Sequence, residues 1–334
     1  MRRHCAALVG IVSALLMPLT VAANCVGSDL IPQLQAESPD AVAQMFLRAK
    51  QVPNGQGRFW KIERAGQTTS HLLGSFHAAE GTETLAPEMW AAFEAANMVV
   101  VEVDLQEQAD MEVRMGMDAA FSFDLSGPGI SARLTAEQRD HVANALAARG
   151  MRLEDVDKMR PWLLASLLSF PACHLQSMAA GEQPMDVTLA ELALDKGQEL
   201  RGLEGYEDAI AAFQRIDGKL LLDSIASTGE LALQEEDLFR TNMNLYANGE
   251  VAAIPELGIL LGEKVAPEMD HRAMSAKVLA EILDTRNLAW MDNLLEALKP
   301  GGTFVIVGAL HLPGTNGLVE LLRAEGYRVT RLDL

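Results

Sequence analysis

Two stretches far apart in the chain are built alike, and no other feature of the sequence limits the fold as strongly. Ser70-His71-Leu72-Leu73-Gly74-Ser75-Phe76-His77 and Phe304-Val305-Ile306-Val307-Gly308-Ala309-Leu310-His311 each read as an apolar strand closed by a glycine, then two residues, then histidine. Each is followed by a glycine-containing loop, with Gly81 in the first and Gly314 and Gly317 in the second, and then by a helical pattern. Glycine at the end of a strand lets the chain turn sharply or lets another group come close. A histidine three residues on is then presented at the rim of the sheet, where open α/β sheets hold their sites.

The other strand signals also gather towards the two ends. Phe59 to Glu63 alternates apolar and polar residues, Ala65-Gly66-Gln67-Thr68 supplies a turn, and the run from Ser70 to Leu73 completes a hairpin. Met98 to Asp104 is β-branched and fits a buried strand, and Tyr327 to Leu332 alternates as a closing strand. The middle is helical in pattern. Thr135 with Gln138 marks a helix start that runs to Arg149-Gly150. Pro184 to Lys196-Gly197 is a second helix, and longer patterns cover about 220–247 and 274–298, the last stopped by Pro300-Gly301-Gly302. The expected fold is α+β: a central mixed β-sheet built from N- and C-terminal strands, with a large helical insertion at about 105–298. The expected organisation is one domain over 24–334, since no low-complexity linker divides it.

The N-terminus reads as a leader. A basic head (Arg2, Arg3), an apolar run from Cys5 to Val21 and small residues before Asn24 predict a signal peptide over 1–23, cleaved after Ala23. The mature chain is then expected in the periplasm or outside the cell, with no stable membrane insertion. Acidic residues number 46 against 27 Lys and Arg, a formal net charge of −19. A charge of that sign repels phosphate backbones and anionic lipid, so nucleic acid is an unsuitable partner. Export would leave two cysteines, Cys25 and Cys173, and an oxidising compartment favours a disulfide between them over two separate thiols.

His77 and His311, one from each matched motif, are candidate ligands for one metal ion. Imidazole suits zinc, iron, cobalt or manganese. Glu102, in the expected third strand beside Asp104 on the same face, is the candidate third ligand or a general base. Glu204 follows the strand-like Leu200-Arg201-Gly202-Leu203 and is expected at the same rim. Asp186 reads equally as a helix N-cap or a site residue. Arg286 and Asn287 read as binding a substrate carbonyl or carboxylate, as orienting a carboxylate, or as a solvated helix face. The remaining histidines, His71 and His141 among them, receive no role. No glycine-rich loop follows the first strand, no G-x-S-x-G elbow is present, and no H-E-x-x-H helix exists; these absences set aside methyltransferases, serine hydrolases and zincins.

These motifs resemble those of the TraB/PrgY/GumN family, which includes the TIKI metalloproteases and is related to the erythromycin esterase and haem-binding ChaN-like proteins. The resemblance runs from about Val42 to the C-terminus. Leu72 to His77 is similar to the family's first motif, and Val101-Glu102-Val103-Asp104 to its strand acid. Pro184-Met185-Asp186 and Gly202-Leu203-Glu204 are similar to a middle block, with the first glycine displaced to Gly181. Arg286-Asn287 resembles an Arg-Asn pair, and Gly308 to Gly314 with Gly317-Leu318 and Gly326-Tyr327 the closing motif. What the resemblance implies is divalent-metal-dependent peptide cleavage.

The expectation is therefore an exported hydrolase of the peptidase kind, acting on a peptide or small-molecule substrate. A divalent ion (Mn, Co, Zn or Fe) is expected at His77, His311 and Glu102. Glu204 or Asp104 would take a proton from water, and Arg286 or Asn287 would steady the developing oxyanion. Gly74 and Gly308 would be structural, and a homo-oligomer is left open. The alternative is a non-catalytic envelope protein that binds or sequesters haem, metal or peptide.

Overall fold

The computed structural model describes residues 25–228 and 234–332, so the expected leader lies outside the described residues. Six strands form one mixed sheet: β1 (Phe59–Glu63), β2 (Ser70–Ser75), β3 (Met98–Val101), β4 (Glu199–Gly202), β5 (Thr303–Gly308) and β6 (Arg328–Arg331). Their order is β4-β3-β5-β2-β1-β6. Strands β4, β3, β5 and β2 run parallel, and β1 runs antiparallel to both β2 and β6. The expected α+β architecture, with its sheet assembled from both ends of the chain, is present.

Gly66, at φ 79°, provides the left-handed residue of the β1–β2 turn. In β2, β3 and β5 both faces are buried, which explains their apolar runs, whereas the edge strand β4 is largely exposed. Leu73, Val99, Val101, Phe304 and Ile306 face one side, packing with Met89, Phe93, Met185, Leu189, Phe239 and Tyr246 from covering helices. Leu72, Val100, Val305 and Val307 face the other side, under Trp290, Leu294 and Leu298 of the helix Thr285–Leu298 and Leu318, Val319 and Leu322 of the helix Leu318–Ala324. Each such side chain removed from water contributes on the order of 1.5–3 kcal/mol. Burial on both faces makes the sheet a rigid mount for its rim.

The structure alters the expected organisation in three places. The helical insertion is not continuous: β4 returns to the sheet in its middle and pairs in register with β3, Val101 opposite Gly202. The pattern over 220–247 is two helices, Gly218–Thr228 and Glu235–Ala247, with 229–233 outside the described residues. The pattern over 274–298 is interrupted by a π-helical turn, Ala280–Asp284, between His271–Leu279 and Thr285–Leu298. By contrast, the Thr135 start forms a complete capping box with Gln138. Among the described residues no helix is long and apolar enough to cross a membrane.

Cys25 and Cys173 form a disulfide spanning 148 residues, packed within the first of these cores. Closing so long a loop restricts the unfolded chain strongly, by about 2–5 kcal/mol. The double variant Cys25→Ser/Cys173→Ser should lose stability on this scale in urea denaturation followed by circular dichroism. An unchanged midpoint would show that the bridge adds nothing.

Candidate active site

The two matched motifs meet because β2 and β5 are neighbours. Their register places His71 opposite Phe304 and Ser75 opposite Gly308, so Gly74 lies opposite Val307 and the motifs are staggered by one residue. Both strands end at the same rim, and His77 and His311 follow there. The two glycines are required by close approach. A Cβ on Gly74 would come within 2.8 Å of the Ala309 Cα, and one on Gly308 within 2.8 Å of His77 Nε2 and 3.2 Å of Glu102 Oε1. The side chains of His77 and Glu102 therefore rest against the α-carbon of Gly308.

Each imidazole has its Nδ1 occupied and its Nε2 turned towards one carboxylate oxygen. His77 Nδ1 lies 3.2 Å from Asp186 Oδ1. A carboxylate can only accept, so the ring donates there. His311 Nδ1 lies 2.6 Å from Asn287 Oδ1. The amide orientation is decided by its other end, since Asn287 Nδ2 donates to the carbonyls of His311 (3.1 Å) and Asn316 (2.8 Å). Nδ1 of His311 therefore carries the proton and its Nε2 carries the lone pair. The Nε2 atoms of His77 and His311 stand 3.9 Å and 3.6 Å from Glu102 Oε1.

Glu102 sits one residue beyond the end of β3, not within the strand as expected, and there its side chain turns inward. Its Oε1 accepts the Gly308 N–H at 2.6 Å and its Oε2 accepts from Arg286 at 2.7 Å. Burial disfavours its charge, but Arg286, the protonated His77 and the Gly308 N–H outweigh this and hold it well below the usual carboxylate range. Glu204, just past β4, accepts Arg286 Nε at 2.8 Å, while burial pushes its pKa up despite that contact. Arg286 itself is kept charged by the two carboxylates against the cost of burial. Its guanidinium lies 4.7 Å over the Trp290 ring, which in turn packs 4.4 Å from the His311 ring. The π-helical turn comes immediately before this group, and Arg286 Nη1 bonds back to its Ile282 carbonyl at 3.1 Å. Such turns commonly mark functional sites.

The two histidines differ sharply in charge behaviour. Burial lowers His77, but Asp186 and then Glu102 more than reverse it, raising the ring to about 9. His77 keeps an outer side open to solvent. His311, sealed in and facing Arg286, is pushed down to about 3 and stays neutral.

Of the other expected residues, Asp186 is not an N-cap. Pro184 holds the cap position, and Asp186 lies in the first turn, aimed at His77. Asp104 does not share a strand face with Glu102. It caps the helix Leu105–Met117, accepting the N–H groups of Gln106 and Glu107. Asn287 is buried with its amide fully used, which makes it a positioning residue for His311, not an oxyanion donor. His71 stacks on Phe59, away from the rim. Trp290 and Asn293, which holds the Leu203 carbonyl, went unrecognised in the sequence; their spacing from Arg286 on one helix was the available signal. Beside Glu204 and Arg286 opens a cavity of about 540 Å³, also walled by Asp104, Glu107, Asp208 and Asn293.

Among the described residues no group of three or more His, Cys, Asp or Glu side chains stands close enough together to hold a metal ion as placed. The donor types of His77, His311 and Glu102 suit a divalent ion, and two of their three separations lie close to the spacing it needs. Two ligands of a tetrahedral ion with bonds of about 2.1 Å stand roughly 3.4 Å apart. The contacts of 3.6 Å and 3.9 Å exceed this by only a few tenths of an ångström. Both imidazoles also have the outer hydrogen-bond partners that metal-binding histidines use.

A family model described as TraB/PrgY/gumN matches residues 58–331. The chain belongs to that family. It is also similar to uncharacterized protein YbaP of Shigella flexneri, 24% identical over 268 residues, 78% of this chain and 90% of that protein. The Escherichia coli (strain K12) YbaP matches with the same identity and coverage. The matched region includes every rim residue from His77 to His311.

In metal-free protein, NMR should show His77 titrating near pH 9 and His311 remaining neutral down to about pH 3. Because His77 lies above the ordinary 6.5, its contribution to stability is complete below that pH and is lost as pH rises through 9. His311 works in the opposite sense, and stability falls as pH drops from 6.5 towards 3. Asp186→Asn should lower the His77 midpoint. An unmoved midpoint would show that Asp186 does not hold that ring.

Proposed function

We propose that this protein is an exported metal-dependent hydrolase, of the peptidase kind. The observation that carries this reading is the convergence of two Nε2 atoms on Glu102 Oε1, each ring anchored from behind through its Nδ1. His77, His311 and Glu102 are the residues that would hold a divalent ion. Such an ion supplies Lewis-acid polarisation of a scissile carbonyl and makes water acidic enough to attack near neutral pH.

The protein's own groups prepare the rest. Asn287 keeps the Nε2 lone pair of His311 facing the site, and Asp186 fixes the plane of the His77 ring. Glu102 stays ionised as acceptor. Burial raises the pKa of Glu204 while that of Glu102 is held down, so Glu204 is the better proton acceptor of the two. Asp104, engaged at a helix start, is the weaker candidate for that role. His77 is the open member of the pair, so substrate approaches from its side. The disulfide supports export, since such bonds persist in oxidising compartments.

Purified mature protein should cleave members of a mixed peptide library, lose that cleavage with chelator and regain it with added Mn, Co or Zn. His77→Ala and His311→Ala should each lower turnover by about 100-fold or more, beyond what loss of an outer partner does. Unchanged cleavage in either variant, or in chelator, would overturn the reading. A Soret band in the same preparation would favour a haem-binding protein instead.

A further inference from the structure

Arg286 occupies an unusual place for a basic side chain. Its side chain is only 9% exposed, against 15% and 6% for its partners Glu102 and Glu204. Besides those carboxylates, it directs Nη1 at His311 Nε2, 3.3 Å away. Asn287 has already set the tautomer, so this nitrogen presents its lone pair to the guanidinium. A metal ion at His311 would use that same lone pair. One N–H of Arg286 thus competes with any cation for one orbital, while its Nη2 neutralises the carboxylate that the cation also needs.

On its far side Arg286 lines the cavity of about 540 Å³ whose walls carry four carboxylates, Asp104, Glu107, Asp208 and Glu204, against one other cation, Arg215, which is paired with Glu281. A guanidinium leaving His311 therefore has an acidic space beside it and can keep Glu204 as partner. We infer that Arg286 is the internal cation of this site: it holds the His311–Glu102 position in metal-free protein and withdraws into the adjoining acidic cavity when a divalent ion binds. The inference rests on the metal-hydrolase reading and concerns a step that precedes catalysis. Trp290 reports on it directly, because the guanidinium lies over its ring.

The test is a zinc titration of metal-free mature protein, read by calorimetry and by tryptophan emission. Zinc should change the wild-type emission saturably, and Trp290→Phe should remove that change. Arg286→Gln should bind zinc at least tenfold more tightly than wild type, with a smaller emission change. Glutamine leaves two carboxylates without their cation, so Arg286→Lys serves if that variant fails to fold. Lysine keeps the charge but lacks the planar fork that reaches Glu102, Glu204 and His311 together. It too should bind zinc more tightly than wild type. Wild-type or weaker affinity in both variants would show that Arg286 steadies Glu102 for the metal and does not compete with it. If wild type and variants all fail to bind zinc, the metal reading itself falls, and this inference with it.

Discussion

The parallel pairing of β2 with β5 is the contact on which the site depends. It joins segments more than two hundred residues apart and brings two Gly-x-x-His loops to one rim. Its free energy comes from burial, since both strands are covered on both faces and their side chains alternate between two cores. The chemistry does not stabilise this pairing; it is imposed on a sheet that is stable for other reasons. What the chemistry demands is room, and Gly308 provides it by having no side chain where His77 and Glu102 press against the chain.

Beyond the rim the site is held by a buried ionic cluster. Glu102, Glu204 and Arg286 are nearly sealed from water, and taking such groups out of water costs several kcal/mol per ion before their attraction repays it. A cluster of this kind contributes little to stability compared with a well-packed apolar one. Its persistence at the rim, with imidazoles on one side and an acidic cavity on the other, is the mark of a site where charge must be managed. The two histidines divide this environment. One is open and readily protonated, and the other is closed and neutral.

Much of the fold was legible from residue pattern. The hairpin, the buried β5 run, the capping box at Thr135 and the likeness of the two histidine motifs each rest on local spacing, and local spacing is what a sequence displays. The one-residue stagger between the motifs was not legible, because register depends on how the intervening chain packs. The π-helical turn before Arg286 leaves no compositional trace; Ala280 to Asp284 reads as ordinary helix. The roles of Asp186 and Asn287 were hidden for a related reason. Each acts through a histidine more than twenty residues away, and which ring it reaches is fixed only by tertiary packing. Asp104 misled by periodicity: the strand stops at Val101, and a face rule that holds inside a strand has no force beyond it.

The central claim is that His77 and His311 serve one ion. X-ray absorption at the zinc edge of zinc-loaded protein tests it most directly. The account predicts two imidazole nitrogens at about 2.0–2.1 Å in wild type, and one in each of His77→Ala and His311→Ala. A spectrum with no imidazole scattering, or one that either substitution leaves unchanged, would contradict it.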